Sequence, residues 1–239
     1  RGTAAPRAGK MRARCPSPFA EHGENLHVES TACNLCGADR PRALHRKFDL
    51  DISRCRACGL VYAGPLRLTR EETWNRYSAT YFRGEYLPSF GVTDGRVDLP
   101  AFDARYAHVL SHIRPYRRLG MLLEIGSGAG FFLKAAERAG WNVTGLEVMD
   151  AGIEFSRATL GLDVMRSAVE DAVLPADGYD IIAMFEVIEH LSDPNGMLHR
   201  IRTLLRPGGC LAISTPNVAA LSHKVLGAPW AVLSPAEHL

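Results

Sequence analysis

Long apolar runs are absent. No stretch of about 18 apolar residues occurs, so no membrane-spanning helix and no membrane partner are expected. An excess of one charge is also lacking. Lys and Arg number 28 against 26 Asp and Glu, which gives no bulk electrostatic case for a nucleic-acid partner. The composition is 46% hydrophobic and 23% charged, unlike a disordered chain, a collagen repeat or a disulfide-dense miniprotein. The 239 residues suit one full domain plus a smaller module, at roughly 100–200 residues per domain.

Acids are missing from residues 1–20, which hold Arg1, Arg7, Lys10, Arg12 and Arg14. Setting those five apart leaves 23 basic against 26 acidic side chains, a mildly acidic body. The start has no apolar core of roughly 7–15 residues, so it does not read as a secretory signal. An Arg-rich, acid-poor start fits either an organelle transit peptide or a disordered end; the plainer reading is a disordered basic tail over 1–30.

Six cysteines are present, and spacing separates them. Cys33-x-x-Cys36-Gly37 and Cys55-x-x-Cys58-Gly59 are matching knuckles with 18 residues between them. A tight turn lets two thiolates face one ion, and the following glycine permits the positive φ that aims backbone N–H groups at sulfur. Two knuckles complete a tetrahedral four-sulfur site suited to Zn2+. The competing readings are two redox-active or free pairs, or disulfides. A catalytic dithiol needs one pair, and no thioredoxin-like context follows. Four thiolates leave no open position, so the zinc is expected to be structural, with Cys33, Cys36, Cys55 and Cys58 as ligands. A thiolate site favours a reducing, cytoplasmic compartment. Leu44–Ile52 reads as two short strands of a ribbon, giving a zinc-ribbon module over 31–64. His45 reads as a surface residue, and Cys15 and Cys210 as unremarkable.

Residues 65–117 read as a helical, aromatic-rich linker. Trp74, Tyr77, Tyr81, Phe82 and Tyr86 cluster there. They serve either to pack the module on the next domain or to form a lid or acceptor-binding wall. Phe102, Tyr106, Val109, Leu110 and Ile113 share one helix face, and Pro115 ends that helix.

From residue 121 strand and helix alternate. Met121–Ile125 is a buried strand, Gly126-Ser127-Gly128-Ala129-Gly130 a turn, 131–139 a helix and Asn142–Glu147 the next strand. Glu147 stands 21 positions after Gly126, where an acid can accept hydrogen bonds from both ribose hydroxyls of a nucleoside cofactor. A dinucleotide fingerprint would put its third glycine at 131, but Phe131 stands there. There is no Gly-Lys-Ser/Thr for a nucleoside triphosphate.

The run Glu124, Gly126, Gly128, Gly130 resembles motif I of the class I S-adenosylmethionine-dependent methyltransferases. Tyr179–Phe185, with Asp180 leading, looks like that family's fourth strand. Glu186–Pro194 resembles the segment that follows it in many small-molecule members, and Leu205–Asn217 the helix end, turn and fifth strand. Met197, Leu198, Ile201, Leu204 and Leu205 give a helical stripe between them, after an Asp193 cap and Pro194. The paired knuckles and Tyr-rich linker resemble bacterial methyltransferases with an N-terminal zinc-binding module, many of which act on sugars, glycans or secondary metabolites.

The resemblance implies an α/β fold: a Rossmann-like doubly wound sheet over 118–239, preceded by the small zinc ribbon. Only 22 residues follow Asn217, too few for a connecting helix and the family's last antiparallel hairpin, so the domain is expected to be incomplete. The resemblance implies S-adenosyl-L-methionine as cofactor, bound by Glu124, Gly126, Gly128, Gly130, Glu147, Val169 and Phe185. Ser167-Ala168-Val169 stands where many relatives have Gly-Asp-Ala, so adenine is expected on the backbone near Val169, with Glu170 or Asp171. His190 is the first candidate for a catalytic base and Glu186 the second; the plain alternative for His190 is a helix-start residue bonded to backbone. Glu186 and Glu189 serve to bind acceptor or to cap backbone N–H groups. The expected function is methyl transfer to a small-molecule, sugar, glycan or secondary-metabolite acceptor. The alternatives are an RNA methyltransferase that grips nucleic acid with its ribbon, and an inactive zinc-ribbon binding protein. The sequence gives no oligomeric state.

Overall fold

The structure is a computed structural model that describes residues 32–47, 50–64, 74, 77–230 and 232–233. The tail expected over 1–30 lies outside the described residues. The ribbon is a three-stranded antiparallel sheet of β1 (Pro41–Lys47), β2 (Leu50–Cys55) and β3 (Val61–Gly64), in that order. The sequence reading covers the first two strands; the third, four residues behind the second knuckle, goes beyond it.

The linker contributes α1 (Leu99–Ile113), capped by Asp98, whose Oδ1 accepts from the Ala101 N–H at 3.1 Å. Phe102 and Ile113 are buried, and Tyr106, Val109 and Leu110 pack beside them. The helix tightens at Arg114–Tyr116, where Pro115 stops it. Before α1 runs an aromatic segment: helical Ala79–Tyr81, π-helical Phe82–Tyr86 and helical Leu87–Ser89.

Five strands form the second sheet: β4 (Met121–Ile125), β5 (Asn142–Glu147), β6 (Val164–Arg166), β7 (Tyr179–Phe185) and β8 (Leu205–Ser214). Their order is β6-β5-β4-β7-β8, and every neighbouring pair is parallel. Three helices belong to this unit: α2 (Phe131–Arg138) after β4, α3 (Asp150–Phe155) after β5 and α4 (Pro194–Leu204) after β7. A further helix, α5 (Leu221–Leu226), follows β8.

Alternation along the strands divides the core between two faces. Leu122, Ile181 and Ala183 join Phe131, Phe132 and Leu133 of α2 on one face. Leu123, Ile125, Ile182 and Met184 join Met197, Ile201 and Leu204 of α4 on the other. Strands buried on both sides are what helices on both faces of a parallel sheet require. The crevice lies between β4 and β7, where the strand order reverses, the usual ligand position in such sheets.

At the opposite end of the sheet, Asp180 is wholly buried. Its Oδ2 accepts the N–H groups of Arg118 (3.0 Å) and Gly120 (2.6 Å), and its Oδ1 accepts from the Arg206 guanidinium. That guanidinium also donates to the Tyr116 carbonyl. One carboxylate thus ties the chain entering β4 to β7 and β8. The helix end and turn expected early in Leu205–Asn217 lie within β8: the register with β7 jumps from Tyr179–Leu205 to Ile181–Cys210. The extra residues form a bulge with Gly208 at φ +75°, and Arg206 within it reaches Asp180.

Burial alone would raise the Asp180 carboxyl; Arg206 and the backbone donors outweigh it and hold the group at about 2. Replacing Arg206 by Ala leaves a buried charge without its partner and is expected to cost about 3–5 kcal/mol in urea unfolding. The carboxylate's contribution is present above its ordinary value of 3.8 and fades as pH falls towards 2. An acid titration of stability that matches wild type in Arg206→Ala would contradict this.

Candidate functional site

The loop between β4 and α2 is bent by three glycines at positive φ: Gly126 (+70°), Gly128 (+54°) and Gly130 (+79°). The N–H groups of Gly126 and Ser127 both donate to the Leu146 carbonyl, at 2.9 and 3.0 Å. Space as well as φ favours glycine at all three positions; at Gly130 a Cβ would lie 2.8 Å from Leu162 Cδ1. A Cβ on Gly126 would lie 2.6 Å from Val187 Cγ2, and one on Gly128 2.1 Å from the Tyr86 hydroxyl. That hydroxyl accepts the Ala129 N–H at 3.4 Å.

Glu147 ends β5 beside this loop. Its Oε2 accepts the Gly128 N–H at 2.6 Å, and its Oε1 those of Val148 (2.7 Å) and Met149 (2.8 Å). Burial raises the carboxyl above its ordinary value against the pull of these three donors. Glu124, one strand away in β4, is 4% exposed, and its Oε2 has no hydrogen-bond partner among the described residues. Burial first, and the Glu147 charge second, push Glu124 well above the ordinary carboxylate range.

A cavity of about 780 Å³ opens over these groups. Of the sequence-predicted cofactor residues, Glu124, Gly126, Gly128, Glu147, Val169 and Phe185 line it; Gly130 sits just behind, as the N-cap of α2. Ser167, Ala168 and Glu170 line the side beyond β5 with Val169, and Asp171 is not among the lining residues. The Val169 carbonyl accepts from Arg200 at 3.3 Å. Phe185 meets Phe132 edge to face at 4.8 Å.

Trp74, Tyr77, Tyr81 and Tyr86 form a wall of the same cavity, whereas Phe82 is buried in the core. The aromatic cluster therefore walls the pocket. Its π-helical turn is a local underwinding of the helix, often met at functional sites.

His190 and Glu186 both line the cavity, on the far side of the sheet's crevice. The His190 ring meets Tyr77 edge to face at 6.0 Å, and the His190 backbone N–H donates to the Val187 carbonyl at 3.0 Å. Glu186 has φ +53°, a strained value for a residue with a side chain. It is held by Ser214 twice: its N–H donates to the Ser214 carbonyl at 3.0 Å, and the Ser214 hydroxyl donates to its Oε1 at 2.7 Å. Burial, with the Glu186 charge adding to it, lifts the Glu189 carboxyl to about 7. Ser214, Tyr106 and Arg105 line the cavity without having been singled out for the site. Tyr106 reads in sequence as a core position and Ser214 as a strand end. Arg105 carries no motif that would have marked it.

The four knuckle cysteines converge, with all four Sγ atoms within 4.8 Å of one another. Cys33–Cys58 and Cys36–Cys55 are each 3.6 Å apart, too long for disulfides. Sulfurs about 2.3 Å from a tetrahedral zinc stand at nearly that spacing. Gly37 and Gly59 have the expected positive φ, +69° and +84°.

A doubly wound parallel sheet with a glycine-rich first loop and an acid closing the second strand defines an α/β domain of the nucleoside-cofactor-binding class. A sequence model described as "Methyltransferase domain" matches residues 101–239, more than half of the chain, and the chain belongs to this methyltransferase family. It is 29% identical over 168 residues to a ubiquinone biosynthesis O-methyltransferase of Cereibacter sphaeroides, covering 66% of this chain and 65% of the relative. It is 31% identical over 176 residues to one from Xylella fastidiosa, covering 67% and 71%. The chain thus spans just under two thirds of the length of the Cereibacter relative. A solved S-adenosylmethionine-dependent methyltransferase from Archaeoglobus fulgidus is 22% identical, with TM-score 0.45, over 54% of this chain and 57% of that one.

Glu124 supplies the test of the site's electrostatics. Its raised value means that the folded chain keeps a proton that the unfolded chain loses, so stability falls as pH rises above the ordinary carboxylate range. In ligand-free protein, Glu124→Gln is expected to melt above wild type at pH 8, with the gap narrowing towards pH 5. Equal melting curves at both pH values would show that the carboxyl is not desolvated.

Proposed function

We propose that the cavity binds S-adenosyl-L-methionine and that the chain transfers its methyl group to a hydroxyl of a small-molecule acceptor. The observation that carries this reading is the joint lining of one cavity by the glycine-rich loop, Glu124 and Glu147. The residues fit the donor chemically. The unpartnered Oε2 of Glu124 suits an ammonium, and Glu147 suits ribose hydroxyls. The lining holds five acids, Glu124, Glu147, Glu170, Glu186 and Asp193, which complements a sulfonium and disfavours a polyanionic acceptor such as RNA. The relatives are O-methyltransferases of ubiquinone biosynthesis by name, which supports a hydroxyl on a small molecule.

Bound there, the donor supplies a methyl group already activated by the sulfonium. The chain's own task is alignment and exclusion of water. The wall of Trp74, Tyr77 and Tyr81 shields the cavity from solvent. His190 takes the acceptor's hydroxyl proton, its ring set by the edge of Tyr77. Glu186, fixed by Ser214, orients the acceptor with its other oxygen. In the same reading the four thiolates hold a structural Zn2+ that folds the ribbon.

Calorimetric titration of S-adenosylmethionine tests the donor, with NADH as the control. Saturable binding that weakens in Glu147→Ala is expected; equal binding of NADH, or none of either ligand by folded protein, would overturn the reading. With an acceptor found by screening phenols and sugars against labelled donor, His190→Ala should lower kcat by roughly 10²–10⁴ while donor affinity stays the same. Metal analysis should return about one zinc per chain, lost in Cys33→Ser, as four thiolates on one ion require.

A further inference from the structure

The seam between the ribbon and the stretch after β8 brings together a second set of metal-type donors. His45 of β1 and His223 of α5 lie 178 positions apart in sequence, yet their Nε2 atoms stand 3.3 Å from one another. Their ring centres are 5.3 Å apart, and the planes cross at 84°. Both residues are half-buried, and neither lines the large cavity. Trp230 packs on the His223 ring with centres 5.3 Å apart. Lys47, two positions after His45, holds the same stretch through the carbonyls of Trp230 (3.2 Å) and Leu233 (2.6 Å).

The contacts of His223 define its tautomer. Its Nδ1 lies 2.6 Å from the Val218 carbonyl. A carbonyl only accepts, so Nδ1 carries the proton and donates it. In the neutral ring this leaves a bare lone pair on Nε2, the atom that faces His45. An imidazole held by one ring N–H on a backbone carbonyl, with the other nitrogen free, is the usual setting of a metal-bound histidine.

The spacing agrees with an ion between the rings. Two imidazoles on one tetrahedral ion, each nitrogen about 2.0–2.1 Å from it, stand about 3.3–3.4 Å apart at nitrogen and about 5.1–5.3 Å apart at ring centre. The two observed separations, 3.3 and 5.3 Å, match both. A head-on N–H···N bond of the same length would hold the centres about 5.6 Å apart, and good N–H bonds are shorter, at roughly 2.7–3.2 Å.

We propose that His45 and His223 form a second metal site, an open two-imidazole site that takes a divalent ion of the nickel, copper and zinc class and clips β1 to α5. The proposal is independent of the donor reading above. Two protein ligands leave the other positions to water, so this ion exchanges, unlike one enclosed by four thiolates. Both ligands are neutral and Lys47 stands nearby, so charge does not draw the ion in. Selection falls to ions with high intrinsic affinity for imidazole, and Mg2+ and Ca2+, which take oxygen ligands, are refused.

Ni2+ alone is the probe, titrated into the full chain after its thiolates have been loaded with zinc and the excess removed. Trp230 reports the site, because Ni2+ bound to the ring it packs on quenches its fluorescence. Saturable quenching with one matching heat of binding is expected, with no response to Mg2+. Trp230→Phe should remove the quenching and leave the heat. His45→Gln and His223→Gln should each weaken binding at least roughly tenfold, the least that losing even a second-layer partner of a metal ligand usually costs. His112→Gln is the control, since His108 and His112 form another exposed pair on α1, with ring centres 4.3 Å apart; it should bind Ni2+ as wild type does. Retained zinc and an unchanged melting temperature show that a variant is folded, and His223→Gln, outside the ribbon, carries the test if His45→Gln is not. Ni2+ binding that survives both folded variants would overturn the proposal. So would the absence of saturation at millimolar Ni2+, which would assign the pair to a plain hydrogen bond.

Discussion

Three backbone N–H groups share the carboxylate of Glu147, and they come from two different strand ends. Gly128 belongs to the loop after β4; Val148 and Met149 follow β5. The carboxylate is thus the bolt that fixes the glycine-rich loop against the neighbouring strand. Its burial is tolerated because each hydrogen bond to an ionised acceptor offsets part of the desolvation. Glu124 has no such set of donors. It shares the same low-dielectric pocket, its Oε2 lacks a partner, and its neighbour's charge opposes ionisation. Two acids on adjacent strands therefore take opposite roles, one a structural acceptor and the other a poised, unsatisfied group. Such a pair costs stability, and its persistence in the cavity floor is intelligible when a cation completes it.

The same loop is braced from above. Tyr86 fits over Gly128 only because no Cβ stands there, and its hydroxyl takes the Ala129 N–H. The π-helical turn at Phe82–Tyr86 sets the phase of the segment so that Phe82 enters the core while Tyr81 and Tyr86 face the cavity. The linker is consequently part of the pocket. It supplies a wall, a loop brace and, in Arg105, the cation of the lining. The family match beginning at residue 101 agrees with α1 being integral to the domain, ahead of the boundary that strand–helix alternation alone suggests.

The β4–α2–β5 unit was legible because glycine spacing, apolar runs and a strand-terminal acid are local signals. The α4 stripe and its Asp193 cap were legible for the same reason: Asp193 Oδ1 accepts the Gly196 N–H at 2.9 Å. The convergence of four cysteines followed from two identical short spacings. What escaped the reading depends on distant partners. The bulge in β8 carries Arg206 to Asp180 of the neighbouring strand β7, whereas Pro-Gly-Gly reads locally as a plain turn. Ser214 lines the cavity and fixes Glu186, 28 positions earlier, a pairing that sequence does not display. Arg105 sits on the polar side of an amphipathic helix, where sequence gives no reason to separate it from a solvated charge. The aromatic cluster was found, but composition does not say which surface a cluster faces.

The ribbon draws its stability from outside itself. Its buried cluster comprises Cys33, Cys55 and Tyr62, far too little apolar area to hold a fold without a metal or a neighbour. The neighbour is the stretch after β8. Lys47 Nζ donates to the carbonyls of Trp230 (3.2 Å) and Leu233 (2.6 Å), and His45 Nε2 meets His223 Nε2 at 3.3 Å. That stretch follows Ser214, the residue that fixes Glu186 in the cavity. Among the described residues, this seam joins the side chains of His45 and Lys47 to the stretch after β8. Four thiolates unbridged and close together leave the knuckles without a covalent tie. The proposed zinc stands outside the cavity and orders the ribbon. The glycine-rich loop, bolted by Glu147 and braced by Tyr86, does not depend on it.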